Sequence, residues 1–315
     1  MLVDIGPVCM TIRAEKSREA YEPSREEIEG FIRKILSDLR EHLPILRQKA
    51  FKIKKFNRMP PTVRRMIEAV KLVDEENLTP MASVAGAISD EVRDFLKEDG
   101  FDFISINNGG DISIFSGDSE REVRISIGDI NKKTHTGFML LLRGLSEFGV
   151  ATSGIGGRSL TLGLAEIGTV VARSGAIADA AATAICNHTN VESKNVIRKK
   201  GKDVDPTTDI PDDLITVSIS GITEDEIKEA LRNGLDYAKS LKKSDIILDA
   251  VIILKKSIAT TVTEGKKIRL EVLYGNKKDS NDNRGRLFRW GEEGGKTFEK
   301  GCYLGCDQEP LRRHL

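Results

Sequence analysis

The sequence predicts an α+β fold of mixed and antiparallel sheets with packed helices, on three observations. Strand-like alternation occurs at both ends of the main region, capped amphipathic helices are interspersed between strands, and no regular strand–helix alternation of the doubly wound kind runs through the chain. The opening IGPVCMTIRAE reads as a strand because Val8, Met10 and Ile12 alternate with smaller or polar neighbours. After Pro23, Ser24 and Glu27 have capping-box spacing, and Ile28, Phe31, Ile32, Ile35, Leu36 and Leu39 fall on one helical face. Pro60 and Pro61 open a second helix carrying Val63, Met66, Ile67 and Val70.

Met81 to Ala87 is a run of mostly small residues leading into an amphipathic segment, Val92, Phe95 and Leu96, that stops at Gly100. FDFISINNGGDISIF is two alternating runs around Asn107 to Gly110, a hairpin signal because these residues tolerate positive φ. A turn crowded with Thr152, Ser153, Gly154, Gly156, Gly157 and Arg158 then leads to a strand near Gly168 to Ala172, as a ligand loop feeding a sheet would. AIADAAATAICNHT is a helix of small residues suited to close packing, and the polar stretch up to Pro211 reads as a surface excursion. LITVSIS is a strand, Thr223 and Glu226 cap a helix with Ile227, Leu231, Leu235 and Leu241, and IILDAVIILKK is a further strand. These boundaries predict a main domain over 1–259 and a poorly structured tail over 260–315, with Leu287, Phe288 and Trp290 as one sticky cluster that would dock on the body or on a second copy in a homo-oligomer.

Lys+Arg and Asp+Glu both number 49 in 315 residues, so no net field favours nucleic acid or an anionic membrane. The Lys194 to Lys202 run has no interleaved aromatics and reads as a solvated face. No stretch reaches the roughly 18 apolar residues of a membrane span, and the N-terminus lacks a signal-peptide pattern, so the expected compartment is cytoplasmic. Four cysteines make no disulfide framework. Cys9 and Cys186 lie in apolar surroundings, and Cys302 with Cys306 lacks the further ligands a zinc site needs.

Asp179 and Thr183 stand four apart on a predicted helix, so a carboxylate and a hydroxyl project from one face a turn apart. Hard oxygens of this kind suit Mg²⁺, although on two residues alone helix packing is the simpler account. The Gly109-Gly110-Asp111 turn and the Thr152 to Arg158 loop would each present backbone N–H groups to phosphates, and Arg158 would add a fork of donors. Neither has P-loop or dinucleotide-fold spacing, and the Asn108-Gly109-Gly110 stretch serves equally as a plain hairpin turn. The four histidines are scattered; His135 in KKTHTGF reads as a loop residue.

Together, PMASVAGAISD at Pro80 to Asp90, INNGGDI at Ile106 to Ile112, and ATSGIGGRS with SGAIADAAAT between Ala151 and Thr183 resemble the ApbE-like superfamily, known for FAD:protein FMN transferases. The similarity is nearer to its cytosolic UPF branch, through IGPVCMTI, LTPMASVAGAISD and DPTTDIPDDLITV, and runs from about Ile5 to Ala259. The resemblance implies Mg²⁺ held by Asp179, Thr183 and the Ala82 carbonyl, and an FAD-like nucleotide on Asn108, Gly109, Gly110, Asp111, Thr152, Ser153, Gly154 and Arg158. It implies a Mg²⁺-dependent transferase or hydrolase acting on a flavin nucleotide pyrophosphate, with an acceptor protein in the transfer case. The other implied reading is a non-catalytic flavin- and metal-binding accessory protein connected with sulfide assimilation. One departure stands out: the transferases carry His-x-x-x-Pro-x-Thr-Gly after the TSG loop, whereas GGRSLTLGLAEIGTVVARSG runs straight from loop to strand.

Overall fold

A computed structural model of the chain describes residues 1–129, 134–157, 159–263 and 267–273. Strands β1 (Leu2–Ile5) and β2 (Val8–Lys16) turn at Gly6, and β3 (Glu19–Ala20) folds back on the end of β2. Helix α1 (Arg25–Leu46) starts where Ser24 Oγ accepts the Glu27 N–H at 3.4 Å, and it buries Ile28, Ile32, Ile35 and Leu39 as the periodicity requires. Helix α2 (Pro61–Asp74) begins with proline at its first position, where the missing N–H costs nothing. A single 3₁₀ turn, Pro80–Ser83, runs into α3 (Val84–Glu98).

The next hairpin pairs β4 (Phe103–Asn108) with β5 (Asp111–Ser116), Asn108 facing Asp111 across the two-residue turn. Gly109 and Gly110 both have positive φ, +66° and +110°, and Asn107 Oδ1 accepts the Gly110 N–H at 2.8 Å. Strands β6 (Glu122–Asp129) and β7 (Thr134–Arg143) form a second hairpin, followed by β8 (Glu147–Ser153) and β9 (Ile167–Ala172). Helix α4 (Gly175–His188), the ribbon of β10 (Val196–Lys200) and β11 (Leu214–Ile219), and the one-turn α5 (Gly201–Val204) come next. The long α6 (Glu224–Lys243) then leads to β12 (Ile247–Leu254), β13 (Ser257–Thr260) and β14 (Ile268–Val272).

The main sheet runs β1-β2-β4-β5-β8-β9-β12-β13 with every neighbouring pair antiparallel, while β14-β7-β6 forms a smaller sheet. Helices cover one face of the main sheet. The small sheet packs on the other, where Ile114, Val150, Val171 and Val251 meet Leu140, Leu142 and Ile268. The result is a helix–sheet–sheet arrangement, the α+β class the sequence predicts. Ordered structure continues past residue 259: β14 pairs with β7 along its whole length. The other tail residues of note, Leu287, Phe288, Trp290, Cys302 and Cys306, lie outside the described residues.

Helix α4 is the centre of the helical layer. Six of its alanines are essentially without exposed surface, as expected for a helix packed on all sides, and their small size lets neighbouring backbones close in. The approach to α3 is close enough to require glycine on both helices. A Cβ on Gly86 would lie 2.2 Å from the Gly175 carbonyl oxygen, and one on Gly175 would lie 2.8 Å from the Gly86 oxygen.

Candidate functional site

The glycine contact sets the site's geometry. With α3 and α4 this close, Asp179 Oδ2 accepts the Gly86 backbone N–H at 3.0 Å, placing a carboxylate at the N-terminal turn of α3 where the helix dipole favours it. The start of α4 is held by two further anchors. Ser174 Oγ accepts the Ile177 N–H at 3.2 Å, and the fully buried Asp90 accepts from Gly175 N–H (2.8 Å), Ala176 N–H (3.0 Å) and the Ser113 hydroxyl (2.6 Å). Arg93 Nη1 donates to the same carboxylate at 3.3 Å, so the buried charge is paired.

One turn after Asp179, Thr183 is only 9 % exposed and faces a cavity of about 210 Å³. Ala82 lines the same cavity from the 3₁₀ turn, beside Thr79. Ser159 and Leu162 close one side, Asn187 contributes from the end of α4, and the segment Asp205 to Asp213 forms the remaining wall. Loop 159–166 is pinned to α4: the Leu162 N–H donates to Asn187 Oδ1 at 3.0 Å, and the Leu164 and Ala165 N–H groups both donate to Thr189 Oγ1 at 2.8 Å.

The 205–213 segment is therefore more than the surface excursion its polarity suggests. The Thr79 hydroxyl donates to the Asp209 carboxylate, Lys49 Nζ pairs with Asp213 at 2.7 Å, and Lys202 N–H donates to the Pro211 carbonyl at 3.0 Å. Asp205 is occupied in its own turn, accepting from the Thr207 hydroxyl and N–H, which hold its carboxyl below the usual range.

The other expected ligand residues divide by face. Asn108 is 2 % exposed; its Nδ2 donates to the Ala85 carbonyl at 3.4 Å, and its buried Oδ1 has no partner among the described residues. The Asp111 carbonyl accepts from Ser89 Oγ at 2.9 Å, which ties the Gly109-Gly110 hairpin tip to α3. Ser153 turns toward α4, 3.4 Å from Ser159 Oγ and against Cys186, whose thiol burial pushes up to about 12. Thr152, its neighbour in the strand, projects to the opposite face and meets Thr169 Oγ1 at 2.9 Å on the side of the small sheet. Gly154 is needed for closeness, since a Cβ there would lie 2.3 Å from the Glu166 carbonyl oxygen. Arg158 and the His135 side chain lie outside the described residues.

Ala82 and Thr183 thus share one cavity, while Asp179 and Asn108 bracket the first turn of α3 at Gly86 and Ala85, just beyond Ala82. Sequence reasoning misses Thr79, Ser159, Asn187 and Asp209, which come from four separate segments with no shared spacing. His42 and His188 hydrogen-bond through Nδ1 to carbonyls of their own helices, Asp38 and Ala184, and line no part of the cavity.

Residues 1–267 match the family described as AbpE bacteria. The chain belongs to this ApbE-like family. Among its relatives, a UPF0280 protein of Methanocaldococcus jannaschii is 29 % identical over 267 residues, covering 82 % of this chain and 89 % of that protein. A UPF0280 protein of Methanothrix thermoacetophila is 40 % identical over 129 residues, 41 % of this chain, and there the match spans about half of the relative, 52 %. Two solved structures are similar at low identity. The flavin transferase ApbE from Vibrio cholerae has a TM-score of 0.44 at 10 % identity, covering 86 % of this chain and 96 % of that one. The apo flavinyl transferase ApbE of Pseudomonas stutzeri has 0.45 at 15 %, covering 84 % and 94 %.

Proposed function

We propose that this chain is a Mg²⁺-dependent transferase or hydrolase that splits the pyrophosphate of an FAD-like flavin nucleotide, passing the flavin phosphate to an acceptor protein or to water. One observation carries the reading: of two oxygen-bearing side chains a turn apart on α4, Asp179 accepts the Gly86 N–H, and Thr183 lines one cavity with Ala82. One carboxylate, one hydroxyl and one carbonyl are hard donors that leave an octahedral shell incomplete, which suits Mg²⁺ because it keeps waters or ligand phosphate oxygens in its remaining positions. Bound there, Mg²⁺ would neutralise charge that builds on the phosphates as the nucleotide splits.

The chain's own groups supply positioning. Membership of the AbpE family and the retained Asp-x-x-x-Thr spacing support a flavin nucleotide as the ligand. The glycine turn at Gly109 and Gly110 has positive φ at both residues, and a Cβ on Gly110 would meet nothing within 4 Å, so its backbone is open to a ligand.

Incubation with FAD and MgCl₂ tests the reading. AMP release is expected, lost on chelation and reduced about 100-fold or more by Asp179→Ala, in the range for removal of one charge-stabilising group. Binding of FAD and Mg²⁺ with no AMP release would instead support the accessory-protein reading. An absence of both binding and AMP release would overturn both.

A further inference from the structure

We propose that Asp209 is the general base of this site, taking the proton from the hydroxyl or water that attacks the flavin-side phosphorus. The inference rests on the phosphoryl-transfer reading above and adds the residue that activates the nucleophile. Asp209 lines the same cavity as Ala82 and Thr183 but comes from a separate segment, the loop between α5 and β11. A carboxylate there is poorly placed to bind phosphate, which it would repel, and well placed to accept a proton.

The cavity's acidic residues are not equivalent. Asp213 is paired with Lys49 at 2.7 Å, and Asp205 is consumed by its Thr207 turn. Among the described residues, Asp209 is held by a neutral donor, the Thr79 hydroxyl, which fixes the carboxylate without neutralising it. Thr79 stands three residues before Ala82, whose N–H donates to the Thr79 carbonyl at 3.1 Å, so the base and the proposed metal-binding carbonyl are fixed by the same short turn. No described histidine lines the cavity to take the role instead.

The step balances without any redox partner. The attacking oxygen forms a new P–O bond to the flavin-side phosphorus, its proton passes to Asp209, and the bond from that phosphorus to the bridging oxygen breaks with its electron pair leaving on AMP.

The test uses the full chain with FAD and MgCl₂ and compares Asp209→Asn, Asp209→Glu and Asp179→Ala, with thermal melts to confirm folding. Asp209→Asn is expected to keep the Kd for FAD, read by flavin fluorescence, within about threefold while AMP release falls about 100- to 10,000-fold. The residual rate should lose the acidic limb of its pH profile, and Asp209→Glu should recover part of both rate and limb. Unchanged AMP release in Asp209→Asn, loss of binding in parallel with rate, or an intact acidic limb would each overturn the assignment. If Asp179→Ala abolishes AMP release and Asp209→Asn does not, the metal reading stands and the base is wrong. A wild-type chain that binds FAD but releases no AMP removes both.

Discussion

Asp90 holds more of the central architecture than any other single carboxylate described, because it serves two backbone N–H groups of α4, a strand hydroxyl and an arginine at once. Replacing it with alanine would leave the Gly175 and Ala176 N–H groups and Arg93 with a lost partner in a water-free position. A loss of about 3–5 kcal/mol is expected for Asp90→Ala, with Asp90→Asn less damaging, read from urea midpoints. Gly86→Ala probes the same helix crossing by a different mechanism. The new Cβ would lie 2.2 Å from the Gly175 carbonyl oxygen, so backbone must move at a cost of roughly 1–3 kcal/mol. That movement would also carry the Gly86 N–H away from Asp179, so weaker Mg²⁺ binding should accompany the lower stability. A stable Gly86→Ala protein with normal Mg²⁺ affinity would show that the close approach is not what sets the site.

Among the elements, α6 shows both halves of its capping box: the Thr223 hydroxyl accepts the Glu226 N–H at 3.2 Å, and the Glu226 carboxylate accepts the Thr223 N–H at 2.7 Å. Thr223→Ala should lower stability by about 1 kcal/mol. The Ser193 hydroxyl first, then the Thr223 groups, hold the Glu226 carboxyl down at about 2. Its folded value lies below the ordinary glutamate value of about 4.3, so its contribution is complete above that pH and is lost as pH falls toward about 2. Amide exchange in the first turn of α6 should therefore quicken between pH 4 and 2, and Glu226→Gln should remove that dependence. Elements marked by such local signals were legible from the sequence: the Asn107 to Gly110 turn, the Pro61 start of α2 and the alanine helix α4. Residues 122–143 carry little local signal beyond the alternation of Val123, Ile125 and Ile127 with polar neighbours, and β14 falls in the stretch whose composition predicts a poorly structured tail. β14 pairs with β7 across more than a hundred residues of sequence, and IRLEV sits in polar surroundings that mask its alternation.

At the scale of the whole molecule, spacing finds Asp179 and Thr183 because both lie on one helix, whereas the cavity is completed by Thr79, Ser159, Asn187 and Asp209 only through tertiary packing. The same logic carries the described fold past residue 259. Thr261 Oγ1 donates to the buried Asp249 at 2.9 Å and accepts the Ala250 N–H at 2.8 Å, while its carbonyl accepts from Lys242 at 2.8 Å. Further along, Ile268 is buried between the small sheet it belongs to and the main sheet, and β14 covers one edge of β7. These contacts carry the described fold as far as β14, later than the composition of the chain implies. A chain ending at Leu273 is expected to unfold at the same urea midpoint as the full protein and to bind FAD and Mg²⁺ equally well. One ending at Ala259 loses the Thr261 bonds and all of β14, at roughly 1 kcal/mol per hydrogen bond, and bares the edge of β7 to pairing with other chains. It should be less stable by several kcal/mol and prone to aggregate, measurable by denaturation and light scattering. Lower stability or lost ligand binding in the chain ending at Leu273 would put residues beyond 273 inside the folded body.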